Sequence, residues 1–304
     1  MGIWIHDKKP QSLSDIVGNV DICHLLKKYV ATGQIPNILF TGDHGVGKRT
    51  LANIFCKSYL NEDLARGRLL IDGAISRGKD IVSDTIQEFS RRRVTMGDKK
   101  KLILITNFDS MTHEAQNALR RIMELESSAR FILTANDTSD IIEALQSRCT
   151  ILLVKGLDYN ESLTLIKKIT VLPDDIANII SLMCDGDMKR IINYCQTMSV
   201  SSSTAISLNT FYKIFNIPPI SHIENMLVKI HKKESVFADI DYLMDQGHNY
   251  NDILDIMSRI LAYKSGLIPD DARFKYLGLI SEHYCEVSAN TVRLHMYSLF
   301  GKLC

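Results

Sequence analysis

The chain has 304 residues and a mass of 34.4 kDa, enough for two or three domains at about 100–200 residues each and too long for a disulfide-stapled miniprotein. Hydrophobic residues at 45% and charged residues at 23% are a globular mixture that excludes disorder along most of its length. Its 36 basic and 35 acidic residues leave a net charge of +1, so attraction to a polyanion has to come from local clusters. Seven cysteines without a CxxC pair fit reduced thiols inside a cell and no structural zinc. No apolar run approaches the ~20 residues of a membrane span, and Met1 to Pro10 is too polar for a secretory signal.

In chain order, Ile38-Leu39-Phe40, Leu69-Leu70-Ile71, Leu102 to Ile105, Phe131-Ile132-Leu133 and Ile151 to Val154 are short apolar runs, the signature of strands buried on both faces. Between them, Thr50–Tyr59, Asp80–Phe89 and His113–Leu125 carry helical spacing, and this alternation predicts an α/β domain with a doubly wound parallel sheet over residues 1–156. Beyond Leu157 the strand signal stops. Amphipathic helices are expected over Glu161–Ile169, Pro173–Met183 and Asp187–Gln196, as a small helical lid over 157–215. Ser199–Thr204 is polar, and two prolines in Asn216-Ile217-Pro218-Pro219 forbid helix continuation, which places the next boundary there. From 216 to 304 the spacing is helical throughout and reads as an oligomerisation collar, whose apolar faces need neighbouring chains.

The chemistry concentrates in Gly42-Asp43-His44-Gly45-Val46-Gly47-Lys48, between the first strand and a helix. This is the spacing of a phosphate loop: glycines let successive N–H groups face an anion, the helix N-terminus adds positive charge, and Lys48 can reach the terminal phosphates. The motif expects a Ser or Thr hydroxyl for magnesium after the lysine, but Arg49 stands there, and Thr50 is turned about 100° around the helix. The strand Leu102–Ile105 ends in Thr106-Asn107 where a carboxylate pair would hold magnesium and polarise water. Hydrolysis in this site is therefore not expected, and magnesium is doubtful.

Around this loop the chain resembles the small subunits of replication factor C. Trp4 to Pro10 with Ser12 to Gly18 resembles their amino-terminal box. Ile35 to Phe40 precedes the phosphate loop as it does in the family, Asp109 to Thr112 runs into Ala115 to Glu124, and Ser147-Arg148-Cys149 follows. The resemblance covers residues 4 to about 197 with specific motifs and implies an AAA+ clamp loader subunit. Five related chains would form an open hetero-pentameric spiral with nucleotide at its seams, loading a ring-shaped sliding clamp of the PCNA type onto primer–template DNA, in a nucleus or a viral replication compartment. It implies that Val17, Gly42, Gly45, Val46, Gly47, Lys48, Arg49, Thr50, Asn136 (first sensor) and Lys189 (second sensor, where the family usually has Arg) bind ATP or ADP passively. It implies that Arg148 reaches as an arginine finger into a neighbour's site. A planar, permanently charged guanidinium suits developing phosphoryl charge. It also implies that Arg77, Lys79 and Ser83, leading into the Asp80 helix, face the DNA backbone, with Ser83 replacing a usual basic residue and weakening the footprint.

Two other readings stay open on the residues: a working ATPase with an unorthodox site around Arg49, and an inactive AAA+ adaptor of another replication or recombination complex. His44 reads as a surface histidine and Cys149 as a small buried side chain. Asp109 reads as a cap for the helix after Thr112 or a local hydrogen-bonding group. Arg91-Arg92-Arg93 and Lys99-Lys100-Lys101 read as solvated loop surface.

Overall fold

A computed structural model describes residues 2–76, 78–92, 99–126, 128–200, 207–264, 266–286 and 292–303, with backbone alone at 79–83, 284–286 and 292–297. Contacts divide the chain into two compact units, Met1–Thr170 with Cys184–Gln196, and Val171–Met183 with Thr197–Cys304.

The first unit is built on five parallel strands, β1 (Ile38–Thr41), β2 (Arg68–Asp72), β3 (Lys101–Thr106), β4 (Ala129–Thr134) and β5 (Thr150–Leu153), in the order β2-β3-β4-β1-β5. Parallel pairing requires long crossovers, and helices supply most of them. The helices between strands are α3 (Lys48–Leu60), α4 (Leu64–Gly67), α5 (Lys79–Arg91), α6 (His113–Leu125) and α7 (Glu143–Gln146); α1 (Trp4–Asp7) and α2 (Val20–Thr32) precede β1, and α8 (Tyr159–Ile169) follows β5. Because alternate residues of a strand point to opposite faces, each central strand feeds two cores. Ile38, Phe40, Leu102, Leu104 and Ile132 pack with Leu26 of α2 and Leu51 and Phe55 of α3. On the other face Leu39, Ile103, Ile105, Phe131 and Leu133 pack with Ile86 of α5 and Leu119 and Ile122 of α6.

Burial on both faces explains why these strands read as unbroken apolar runs. The two edge strands are exceptions: Leu70 of β2 is exposed at 44%, and Ile151 and Leu153 of β5 at 42% and 58%. β1 lies between β4 and β5, aligned Leu39 to Leu133 and Leu39 to Ile151. The loops after β1, β3 and β4 therefore emerge together at one end of the sheet, where α/β folds bind ligands.

The second unit is helical. It takes most of α9 (Asp174–Cys184) and the end of α10 (Met188–Val200), then α11 (Leu208–Phe215), α12 (Ile220–His231), α13 (Phe237–Asp245), α14 (Tyr250–Tyr263), α15 (Asp270–Glu286) and α16 (Val292–Leu303). Ile223, Leu227, Ile240, Leu243, Ile253, Met257 and Ile260 are fully buried in it, at the three- and four-residue intervals of amphipathic helices. Asn216, in the left-handed conformation at φ 49°, ends α11 directly before Pro218 and Pro219. Among the described residues no helix is long and apolar enough to cross a membrane.

Candidate nucleotide site

At the end of β1 the chain turns through Gly42 (φ +139°), Gly45 (φ +76°) and Gly47 (φ +90°), conformations that side chains rarely tolerate. A Cβ on Gly42 would also lie 2.1 Å from the Val154 carbonyl oxygen. Gly47 opens α3 without a side-chain cap, leaving the first-turn N–H groups available to an anion. Lys48 is 9% exposed. Its Nζ donates to the carbonyls of Gly42 (2.7 Å) and Asp43 (2.6 Å) and to Asn136 Oδ1 (2.9 Å). Burial lowers its pKa, against the opposing pull of Asp109 and Asp43.

Asn136 follows β4 and is fixed from behind: its backbone N and its Nδ2 each donate to Asp109 Oδ2 at 2.9 Å. This corrects the expectation of a helix cap at Asp109. Thr112 caps α6, accepting from Ala115 N at 3.3 Å, while Asp109 fixes Asn136 across the tops of β3 and β4. The other Asp109 oxygen, Oδ1, is buried without a hydrogen-bond partner.

The positions that ordinarily hold magnesium are differently employed. Thr106 is wholly buried at the end of β3 and its hydroxyl has no hydrogen-bond partner among the described residues. Asn107, at φ 51°, donates its Nδ2 to Asp72 Oδ1 at 3.0 Å. Arg49 reaches Asp72 Oδ2 at 3.5 Å, with the arginine side chain 56% exposed. Both oxygens of Asp72 are thus engaged, Oδ1 also accepting from Ala74 N at 3.1 Å. A divalent cation does not fit this set: it would meet a guanidinium, an inaccessible hydroxyl and an amide already aimed at a carboxylate.

Above the loop lies a cavity of about 580 Å³ walled by the amino-terminal segment, α8 and α10. Val17, Gly45, Val46, Gly47, Lys48, Arg49, Thr50, Asn107, Asn136 and Lys189 all line it, so the structure brings together most of the nucleotide-binding residues expected from sequence; Gly42 lies just behind Lys48 as a carbonyl partner. The Lys189 ammonium has no hydrogen-bond partner among the described residues. Its helix is capped by Asp187, whose Oδ1 accepts from the N–H groups of Lys189 (2.8 Å) and Arg190 (3.0 Å). The same carboxylate fills the space a Cβ on Gly45 would need, at 2.0 Å. Glycine at 45 therefore serves the close approach of α10 as well as the loop's own turn.

Sequence reasoning missed Ile5, Lys8 and Lys9 from the segment around α1, Ile16, and Leu165 and Lys168 from α8, all of which line the cavity. Gln196 holds the segment on α10, accepting from Trp4 N and donating to Gly2 O, both at 2.9 Å. For Ile5, Lys8, Lys9 and Ile16 the signal was the amino-terminal box, which says nothing of where it docks; Leu165 and Lys168 carried none beyond their helical spacing. Asp72 was also missed. A lone carboxylate directly after the apolar run Leu69–Ile71 was its signal.

A family model described as DNA polymerase III, delta subunit, matches residues 71–158. The chain is 31% identical over 264 residues to replication factor C subunit 4 of Saccharomyces cerevisiae, covering 84% of this chain and 81% of that one. It is 33% identical over 266 residues to the replication factor C small subunit of Natronomonas pharaonis, with the same coverage. The chain belongs to the replication factor C small-subunit family. Among solved structures, a RuvB variant from Thermotoga maritima matches at a TM-score of 0.57 and 16% identity, covering 89% of this chain and 98% of that one. Domain III of the Thermotoga maritima replication initiation protein DnaA matches at 0.55 and 15% identity, covering 68% and 95%. These likenesses carry the fold, which is the AAA+ α/β fold with a helical carboxyl-terminal part.

In this replication factor C family member, Arg148 lies outside the cavity, exposed at the end of the turn after α7. It donates to the Ala144 carbonyl at 2.6 Å and is paired with Glu124 of α6. Cys149 beside it is half-buried, its thiol pushed up to about 12 by desolvation, so it is no nucleophile. His44 is exposed on the loop. Arg77 and the side chains of Lys79 and Ser83 lie outside the described residues. Of the basic residues expected on loop surface, Arg93 lies outside the described residues, Arg91 ends α5, Lys99 and Lys100 are half-buried, and Lys101 departs furthest: it is 7% exposed and donates Nζ to the carbonyls of Phe89 (3.0 Å), Ser90 (2.8 Å) and Arg92 at the end of α5. The expectation failed there because a lysine opening a buried strand can stretch its stem across the core and end on a helix terminus.

Proposed function

We infer that this chain is a small subunit of a clamp loader that retains a nucleotide without hydrolysing it and donates Arg148 across a seam to a neighbouring subunit's ATP. The observation that carries the reading is a complete anion cradle without its metal-handling groups. Lys48, the open end of α3, Asn136 and Lys189 surround one cavity, while Thr106 is sealed in the sheet and Asn107 is committed to Asp72. A cradle of this kind binds phosphate but neither holds magnesium nor activates water.

Membership of the family supports an assembly with other subunits and a sliding clamp; the reading adds that it is a hetero-pentamer acting on primer–template DNA, with a lid over 157–215 and a collar over 216–304. Arg148 suits a role in trans because its partner in the isolated chain is an exposed one. Its side chain is 37% exposed and that of Glu124 40%, so the pair is weak and the guanidinium can exchange Glu124 for a phosphate at little cost. DNA held through its phosphates by α5 would show affinity that falls steeply with salt and no sequence preference.

The test is reconstitution with partner subunits and clamp. The chain alone should show no turnover of ATP, and Arg148→Ala should cut DNA-stimulated turnover of the assembly by about 10³-fold or more at the one site it serves. Nucleotide binding by the chain itself should stay unchanged. An assembly rate untouched by Arg148→Ala would remove the finger from the mechanism, and robust turnover by the isolated chain would overturn the non-hydrolysing reading.

A further inference from the structure

We propose that the cavity holds its nucleoside polyphosphate as a metal-free polyanion, with the Arg49 guanidinium supplying the positive charge that magnesium brings to an ordinary phosphate loop. The inference rests on the nucleotide-retaining part of the function proposed above and goes beyond it by naming the ionic form of the ligand and the group that compensates it.

The balance of charge around the cavity is one-sided. Lys8, Lys9, Lys48, Arg49, Lys168 and Lys189 line it against a single carboxylate, Asp15. A magnesium-bound polyphosphate is less negative than the free one, and a pocket whose charged side chains are almost all cationic gains most from the more negative form. The one carboxylate available is turned to local use: Asp15 Oδ2 accepts from both the N–H and the hydroxyl of Ser12, at 3.0 and 2.9 Å.

Arg49 is placed for the exchange. It sits in the first turn of α3, directly after the phosphate lysine, where the N–H groups converge on a bound anion. The sole hydrogen-bonded partner of its guanidinium among the described residues is Asp72, at the long distance of 3.5 Å, with the side chain 56% exposed. Asp72 does not depend on it, because Asn107 Nδ2 and Ala74 N remain on its other oxygen. Arg49 can therefore turn from Asp72 to a phosphate, where two parallel N–H···O bonds replace one long one. The sites of metal ligation cannot compete, since Thr106 is sealed and Asn107 presents its amide N–H₂ to Asp72.

The experiment is a fluorescence titration of the purified full chain with N-methylanthraniloyl-labelled ADP and ATP, in EDTA and in magnesium. Affinity in EDTA is expected to equal or exceed that in magnesium. Arg49→Ala should weaken binding in EDTA by about 10-fold or more, the effect of losing one charge-assisted hydrogen-bonding group. Arg49→Lys, which keeps the charge, should recover part of the loss. The exposed position of residue 49 leaves the fold of both variants intact, verified by circular dichroism. Binding that collapses in EDTA, or that Arg49→Ala leaves untouched, overturns this inference while the nucleotide-retaining reading stands. No binding in either buffer overturns both. Neither result bears on Arg148, whose readout is the turnover of the assembly.

Discussion

Replacing Lys101 by Met keeps the buried hydrocarbon stem and removes only the ammonium. Three hydrogen bonds to the last carbonyls of α5 are lost, each of the charge-assisted kind worth about 1.5–3 kcal/mol, and the freed carbonyls keep only the water that can reach them. Against this stands the recovered cost of burying the ammonium, several kcal/mol. Burial lowers the Lys101 pKa, with the Glu126 carboxylate pulling the other way. The net destabilisation expected is about 3 kcal/mol, located at the end of α5.

Two measurements check it. The urea midpoint of the first unit, followed by the single tryptophan Trp4, should fall, and the amide of Arg92, bonded to Glu88 O at 3.3 Å, should exchange far faster than those of α6. A loss under about 1 kcal/mol with unchanged exchange at Arg92 would refute the view that this lysine clamps the helix, and would place its worth in its aliphatic stem.

Two other outcomes follow from buried groups. Thr106→Val replaces a sealed hydroxyl without a hydrogen-bond partner by an isosteric methyl, so stability should stay level or rise by up to about 1 kcal/mol in urea unfolding, and a loss of that size would mean the hydroxyl is bonded after all. Burial pushes the thiols of Cys56, Cys149 and Cys195 from an ordinary 9.0 up to about 12. For an acid held neutral in the fold, the stabilisation is fully present below the unfolded pKa and lost as pH rises through the folded one, so these thiols cost the fold between about pH 9 and 12. At pH 8 the native protein should resist iodoacetamide at all three, and rapid native labelling at Cys56 or Cys195 would contradict their burial.

The strands were legible because a parallel strand covered on both faces has no polar alternation to confuse it, and α6 matched its predicted span residue for residue because the Thr112 cap and the apolar stripe agree. α1 and α7 have four residues each, too few for a period to show. α2 starts at a left-handed Asn19 without a side-chain cap, and its apolar stripe is interrupted by Lys27 and Lys28. α11 comes after the polar stretch Ser199–Thr204 and is only eight residues long.

The phosphate loop, the displaced metal positions and the family motifs are local in sequence, and local spacing sufficed to find them. Backbone chemistry at three glycines and one lysine depends on neighbours within a few residues. What those residues do with one another depended on the fold. Asp109 and Asn136 are 27 residues apart and meet because β3 and β4 pair in register. Asp72 joins Arg49 to Asn107 because β2 ends beside β3. Asp187 occupies the space above Gly45 because α10 returns to the loop after more than a hundred residues. Side-chain identity sets what each group can bond, but only the paired strands and the returning helix set which group lies within 3 Å of it.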